Sequence, residues 1–286
     1  MIIDAHNHAD WHGHDLLKFL GNMAACHIDK TWLLSWESPL DEVDPENNYV
    51  SLTSERGPIP FERGLAYFQQ APDKFVLGYA PDPRRPDSID RLQAAVEVHG
   101  VRLCGEIKLR MMYDNWDALC LFRFCGEKKL PVTVHLDYEL DTGRKYPRPN
   151  WWYGGGIEAF ERAVRACPQT IFLGHAPGFW AHISDDGKFR QEYYPTGRVV
   201  PGGAVTRMLN TYPNLCADLS AGSGLNALKR DPAFARDFLI EFQDRLLYAR
   251  DDFDNELQEF LATLDLPDAV WAKISSQNAE RLTGGK

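Results

Sequence analysis

Two hydrophobic periods alternate along the chain. Eight short runs rich in β-branched and aromatic residues, at 1–6, 31–36, 75–79, 103–109, 132–136, 171–175, 215–220 and 245–250, read as strands. Between them, apolar residues recur at helical spacing over 15–25, 88–98, 116–129, 157–166, 203–209, 233–242 and 256–264. Strand followed by helix, repeated, predicts an α/β fold with a parallel sheet. Eight units over 286 residues give about 36 residues each, close to the 30 or more of a βαβ unit, and the length is near that of a single (β/α)8 barrel. Ser88 is the expected cap of its helix, and Gly100 and Gly126 are candidate stops. No linker divides the chain, so 1–286 reads as one domain.

Three connections are long: 37–60, 137–156 and 176–201. Each follows a strand, so in a barrel each overhangs the C-terminal mouth, where sites are built. They carry Trp151, Trp152, Tyr153, Phe179, Trp180, Tyr193 and Tyr194, more aromatic surface than a loop keeps without a pocket or interface to line. Trp152 and Trp180 are the predicted substrate contacts. Arg148, with Arg144 and Lys145, suits an anionic planar substrate, or equally a solvated loop face.

Composition narrows the class. With 44% hydrophobic and 25% charged residues, a fibrous or wholly disordered chain is excluded. A net charge of −10 without any Lys/Arg run argues against nucleic acid as a partner. No apolar run reaches membrane-spanning length, and 1–6 lacks the basic and apolar regions of a signal peptide, so a cytoplasmic protein with no membrane partner is expected. Six scattered cysteines without C-x2-C spacing read as reduced, mostly buried thiols. A small-molecule substrate remains, with self-association left open.

The chemistry gathers at strand ends. Asp4-Ala5-His6-Asn7-His8 closes the first strand, and period-two alternation puts His6 and His8 on one face. His135 ends the fifth run and His175 the sixth. Each alone is as well explained as a satisfied core histidine; together, in a barrel, four imidazoles converge on one mouth. Asp251, at the end of the eighth run, is in phase with Leu247 and Ala249 and is preferred over Asp252, which with Asp254 suits helix capping. Glu106 and Lys108 share a face of the fourth run. Glu106 reads as a ligand or a bridge between two metals, Lys108 as its partner or as a group for substrate, and a simple ion pair between them is the competing reading.

The strand-end set His6, His8, His135, His175 and Asp251, in that chain order, resembles the amidohydrolase superfamily. The closing segment Ile274-Ser275-Ser276-Gln277-Asn278-Ala279-Glu280-Arg281-Leu282 is similar to the Asn-Ala-x-Arg-Leu tail of its amidohydrolase-related branch, and 213–220 resembles that branch's seventh strand. The resemblance implies a distorted (β/α)8 TIM barrel with one or two divalent metals at the C-terminal mouth, zinc first and manganese or iron as alternatives. It implies metal at His6, His8, His135 and Asp251, with His175 as a further ligand or in proton transfer. Gly105-Glu106-Ile107 is similar to the TatD-like branch, in which the Glu helps hold a second metal.

The implied activity is hydrolysis of a C–N or C–O bond (amide, lactone or ester) in a small, aromatic or anionic substrate. The metal would supply hydroxide at neutral pH by lowering the pKa of its water to about 7. Asp251 would move the proton and His175 would steady the oxyanion. Non-oxidative decarboxylation of an aromatic acid, with Lys108 on the carboxylate, is the alternative, followed by a metal-free, non-catalytic barrel.

Overall fold

The computed structural model describes residues 1–39, 42, 58–138 and 152–284. All eight expected strands form: β1 (Ile3–Asn7), β2 (Lys30–Leu33), β3 (Phe75–Leu77), β4 (Cys104–Ile107), β5 (Val132–His135), β6 (Phe172–His175), β7 (Leu215–Asp218) and β8 (Leu246–Leu247). They make two parallel arcs, β1-β2-β3 and β4-β5-β6-β7-β8. One seam is closed by the Gly78–Leu103 bridge and by Arg102 N–H donating to Leu77 O at 2.9 Å. At the other, Ala5 N–H donates to Tyr248 O (3.0 Å) and Asp251 N–H to His6 O (2.8 Å). Beyond the end of the short β3, the chain after β2 pairs directly with β4, where Ser35 N–H donates to Gly105 O at 3.0 Å. The result is a closed, distorted (β/α)8 barrel.

Period-two alternation sorts the strand side chains. Ile3, Ala5, Trp32, Leu34, Leu103, Leu173, Cys216, Leu247 and Ala249 fill the barrel interior, whereas Leu33, Leu77, Val132, Val134, Phe172 and Leu215 join the larger core under the helices. Burying one face inward and the other under helices requires apolar residues at both parities, which is why these strands read as continuous hydrophobic runs.

Seven of the helices occupy the expected stretches: α1 (Leu16–Ala25), α3 (Ser88–His99), α4 (Trp116–Lys128), α5 (Gly156–Ala166), α7 (Ala204–Thr211), α9 (Pro232–Glu241) and α10 (Glu256–Ala262). Two punctuation marks differ from expectation. Ser88 is the first helical residue rather than the cap, and Asp87 precedes it. Gly126 lies inside α4, where a Cβ would meet Thr170 Oγ1 at 2.7 Å; the glycine serves close packing, and the helix stops at Lys129 with φ 56°. Gly100 does end α3, at φ 71°.

Further helices were not expected: α2 (Phe61–Gln70), α6 (Pro177–Trp180), α8 (Ala221–Lys229), α11 (Asp268–Ala272) and α12 (Asn278–Thr283). α8 carries Gly222 and Gly224, poor helix formers, and Gly224 is required because a Cβ there would lie 2.4 Å from Leu219 O. α12 closes the bottom of the barrel, with Ala279 in the interior cluster and Asn278 Nδ2 donating to Gln243 O (2.7 Å) and Leu246 O (2.8 Å). Among the described residues no helix is long and apolar enough to cross a membrane.

Candidate metal centre

Strand register brings the chemistry together. His135 on β5 pairs with His175 on β6, and Gly174 pairs with Ala217 on β7, so His135, His175 and Asp218 stand in neighbouring places along one rim. Tyr113, fully buried, donates its hydroxyl to Ile107 O (2.6 Å) and His135 O (2.9 Å), tying the ends of β4 and β5. Across the barrel, Asp251 follows β8 with φ 53° and accepts at its backbone oxygen from Trp11 Nε1 (3.0 Å). Asp251 therefore faces the imidazoles, while Asp252 turns away to accept from the Phe253 N–H at 2.7 Å.

The six expected ligands form one cluster. Glu106 lies at its centre, with Oε2 3.4 Å from His8 Nε2 and 3.9 Å from His6 Nε2, and Oε1 2.5 Å from His135 Nδ1 and 3.5 Å from His175 Nε2. Asp251 sits opposite, 3.4 Å from His8 Nε2, 3.9 Å from His6 Nε2 and 3.7 Å from His175 Nε2. Ligand atoms of His6, His8 and Asp251 lie within 4.8 Å of one another, as do those of Glu106, His135 and His175. His6 Nε2 and Asp251 Oδ1 are buried and make no hydrogen bond. Orphaned lone pairs in a buried, carboxylate-rich pocket are costly unless a cation shares them. The donor set, imidazole nitrogen plus carboxylate oxygen, therefore fits a divalent metal such as zinc, manganese or iron.

The electrostatics agree. Burial opposes charging His8, yet Asp251 and Glu106 raise its pKa to about 10. His135 is likewise raised by Glu106 and Asp137, against burial and Lys108. Glu106 and Asp251 are held below the ordinary carboxylate range despite burial, Glu106 by His135 and Lys108 and Asp251 by His6 and His8. Protons on these rings occupy the positions a metal cation would take.

Two residues of this cluster carried no role in the sequence reading. Asp218, fully buried, accepts on Oδ2 from His6 Nδ1 (2.8 Å) and on Oδ1 from His175 Nδ1 (3.0 Å) and Ser220 Oγ (2.6 Å). Asp137 Oδ2 lies 2.8 Å from His135 Nε2. Their signals were a carboxylate ending β7 beside His175 and one two residues past His135, on the same side of the chain.

Other expected contacts divide. Lys108 is buried, its Nζ 4.3 Å from the Trp36 ring centroid and 5.7 Å from that of Tyr153. Trp152 is half-buried, and Arg148, Arg144, Lys145 and Trp151 lie outside the described residues. Trp180 calls for correction. Only 1% exposed, it donates Nε1 to Asp218 O at 3.0 Å and has no surface to offer a substrate. Phe179, also fully buried, covers Gly174, where a Cβ would fall 2.4 Å from its ring. The missing side chain of Gly174 draws α6 inward, so the first residues after β6 belong to the core.

The structure is thus a parallel (β/α)8 barrel with a cluster at its C-terminal rim that could hold a metal ion. The sequence pattern of the amidohydrolase family matches residues 3–284, and the chain belongs to that family. Among solved structures it is similar to an uncharacterized TIM-barrel protein from Bordetella bronchiseptica (19% identity, 94% of this chain and 83% of that one, TM-score 0.63). A candidate 2-pyrone-4,6-dicarboxylic acid hydrolase from Pseudomonas putida is also similar (15%, 99% and 97%, TM-score 0.62). So is a dihydroxybenzoic acid decarboxylase from Polaromonas sp. JS666, solved with bound manganese and the inhibitor 2-nitroresorcinol (13%, 93% and 85%, TM-score 0.55). A search of curated proteins finds no match.

Proposed function

We propose that this chain, read as one domain, is a metal-dependent hydrolase that cleaves a C–N or C–O bond of a small anionic or aromatic substrate. The carrying observation is Glu106, within 3.9 Å of a nitrogen on each of His6, His8, His135 and His175. A carboxylate shared by two histidine pairs suits a bridge between two ions more than a ligand to one. His6, His8, Glu106, His135, His175 and Asp251 would hold one or two divalent ions, zinc first. When bound, such an ion is a Lewis acid that lowers the pKa of water to about 7.

The remaining work belongs to the chain. Asp251, its Oδ1 without a hydrogen bond, takes a proton from the attacking water and hands it to the leaving group. Where it does not serve as a ligand, His175, held at Nδ1 by Asp218 and Ser220 and protonated on both nitrogens, offers its Nε2–H to the developing oxyanion. Lys108, held between Trp36 and Tyr153, and Arg148 neutralise a substrate carboxylate, and Trp152 covers its planar face.

Decarboxylation is the second reading, favoured by Lys108: a buried cation beside Glu106 can grip the carboxylate that leaves as carbon dioxide. Turnover in oxygen-18 water, with a substrate found by screening lactones, amides and aromatic acids, separates the two. One labelled oxygen in the product supports hydrolysis; carbon dioxide release without label elsewhere replaces it with the second reading. Trp152→Ala and Arg148→Ala should both change kcat/KM, and unchanged values would remove those two contacts.

A further inference from the structure

Asp251 is placed in the cluster mainly by its backbone. Among the described residues its Oδ1 accepts no hydrogen bond that would aim the carboxylate directly. The backbone is left-handed at φ 53°, a conformation uncommon for a residue with a Cβ. It is gripped from the β1 side at both ends. Asp251 N–H donates to His6 O (2.8 Å), and Asp251 O accepts from the Trp11 indole N–H (3.0 Å). Trp11 meets a second expected ligand as well, its ring lying edge-on to the His8 imidazole with centroids 5.3 Å apart. The indole is itself held in place. It is buried, in a turn whose Asp10 carboxylate accepts from Arg63 Nη2 (3.0 Å) and from the Tyr67 hydroxyl (2.8 Å), both on α2.

We propose that Trp11 is a positioning residue of the metal centre, whose indole N–H fixes the peptide that follows Asp251 and so the direction from which the Asp251 carboxylate meets His6, His8 and His175. The inference deepens the proposed function, because it rests on Asp251 being a metal ligand. Neighbouring bonds hold the adjacent peptides: Arg250 O accepts from Ala221 N–H (2.8 Å), and Asp252 O from Asn7 Nδ2 (2.8 Å). Trp11 acts on the peptide between them. Its effect should therefore be a moderate one on precision, not an all-or-none loss. With the indole in place the carboxylate is ordered before metal arrives, whereas a chain without that N–H must order it as metal binds, and the difference appears as affinity. A tryptophan that served packing alone would support the metal-free and metal-loaded protein equally and leave affinity where it was.

Zinc affinity, measured by competition with a chromophoric chelator, tests this directly. Trp11→Phe keeps an aromatic ring beside His8 and removes the N–H, and it should weaken zinc binding by about 3- to 10-fold, the worth of one hydrogen bond. The deciding comparison uses Asp251→Gly, a residue for which the left-handed backbone carries no penalty. With no carboxylate left to aim, adding Trp11→Phe to Asp251→Gly should change zinc affinity by less than about twofold. Unchanged affinity in the single Trp11→Phe variant, or an equal loss with and without the Asp251 carboxylate, would overturn the proposal. A second readout does not depend on metal. Crystal structures of the metal-free wild type and Trp11→Phe should differ at the Asp251 carboxylate by more than about 0.5 Å, the tolerance of a working site, and superposable carboxylates would refute the positioning role. A wild type that binds no zinc would count against the hydrolase reading instead, and the pair of metal-free structures would still decide the role of Trp11.

Discussion

A buried ion pair between Asp4 and Arg250 reinforces the backbone hydrogen bonds of the β8/β1 seam, and breaking it should be strongly damaging although it lies outside the metal cluster. Asp4 is fully buried, and its carboxylate accepts from Arg250 N (2.8 Å), Arg250 Nε (2.9 Å), Asn7 Nδ2 (3.2 Å) and His6 N (3.3 Å). Arg250 is 4% exposed and also donates Nη1 to Asn22 Oδ1 at 2.9 Å. In Asp4→Ala the guanidinium stays buried without its counter-charge, a cost of about 3–5 kcal/mol. At about 2–4 °C per kcal/mol for a domain of this size, the melting temperature should fall by roughly 6–20 °C. Because the same carboxylate holds the His6 and Asn7 segment, metal affinity should fall with it. Replacing both partners by apolar residues, Asp4→Leu with Arg250→Met, leaves no orphan charge and should cost clearly less than Asp4→Ala alone. The assay is thermal and urea unfolding of metal-free wild type, both singles and the double. A drop for Asp4→Ala of less than about 1 kcal/mol, or a double as unstable as the two singles added, would refute the reasoning.

Other consequences are simpler. Purified protein should carry one or two divalent ions per chain by elemental analysis, and His6→Ala with His8→Ala should abolish them, since no neighbouring group can replace two lost ligands. Gly174→Ala should destabilise by about 1–3 kcal/mol, because its Cβ would lie 2.4 Å from the Phe179 ring, and trimming that ring with Phe179→Leu should recover part of the loss. Packed on Phe189 with ring centroids 4.2 Å apart, His182 has its pKa lowered by burial to about 4. The unfolded chain takes up that proton near pH 6.5 and the native one does not, so this contribution is complete above pH 6.5 and declines toward pH 4. His182→Gln should flatten that part of the stability profile, by at most about 3 kcal/mol.

The fold was legible wherever one physical rule acted alone. All eight strands announce themselves because both faces are buried, so β-branched and aromatic residues run without interruption between polar helix starts. What escaped was written in glycines. Gly126, Gly174 and Gly224 look like breakers, yet each is the gap that lets another segment come close: Thr170 against α4, Phe179 over β6, Leu219 under α8. A single sequence does not distinguish a glycine that turns the chain from one that admits a neighbour, because the second role depends on what arrives from elsewhere. Trp180 was assigned to substrate because it lies in a long, aromatic-rich connection, whereas α6 is drawn inward over Gly174.

The site divides along a similar line. Residues that offer an atom to the cluster stand at strand ends, and strand ends can be read from local pattern. Those that orient the rings are defined by a partner. Asp218 matters because β7 places it beside two imidazoles, 212 residues from His6 and 43 from His175, and Asp137 because Tyr193 fixes its second oxygen. Their carboxylates have no local mark that separates them from an ordinary buried Asp. Yet they hold the outward nitrogens of His6, His175 and His135, and so leave the other nitrogen of each of those rings facing the cluster. The chemistry of this barrel is thus specified twice, once by ligands that sequence pattern displays and once by acceptors that only the assembled strands bring into place.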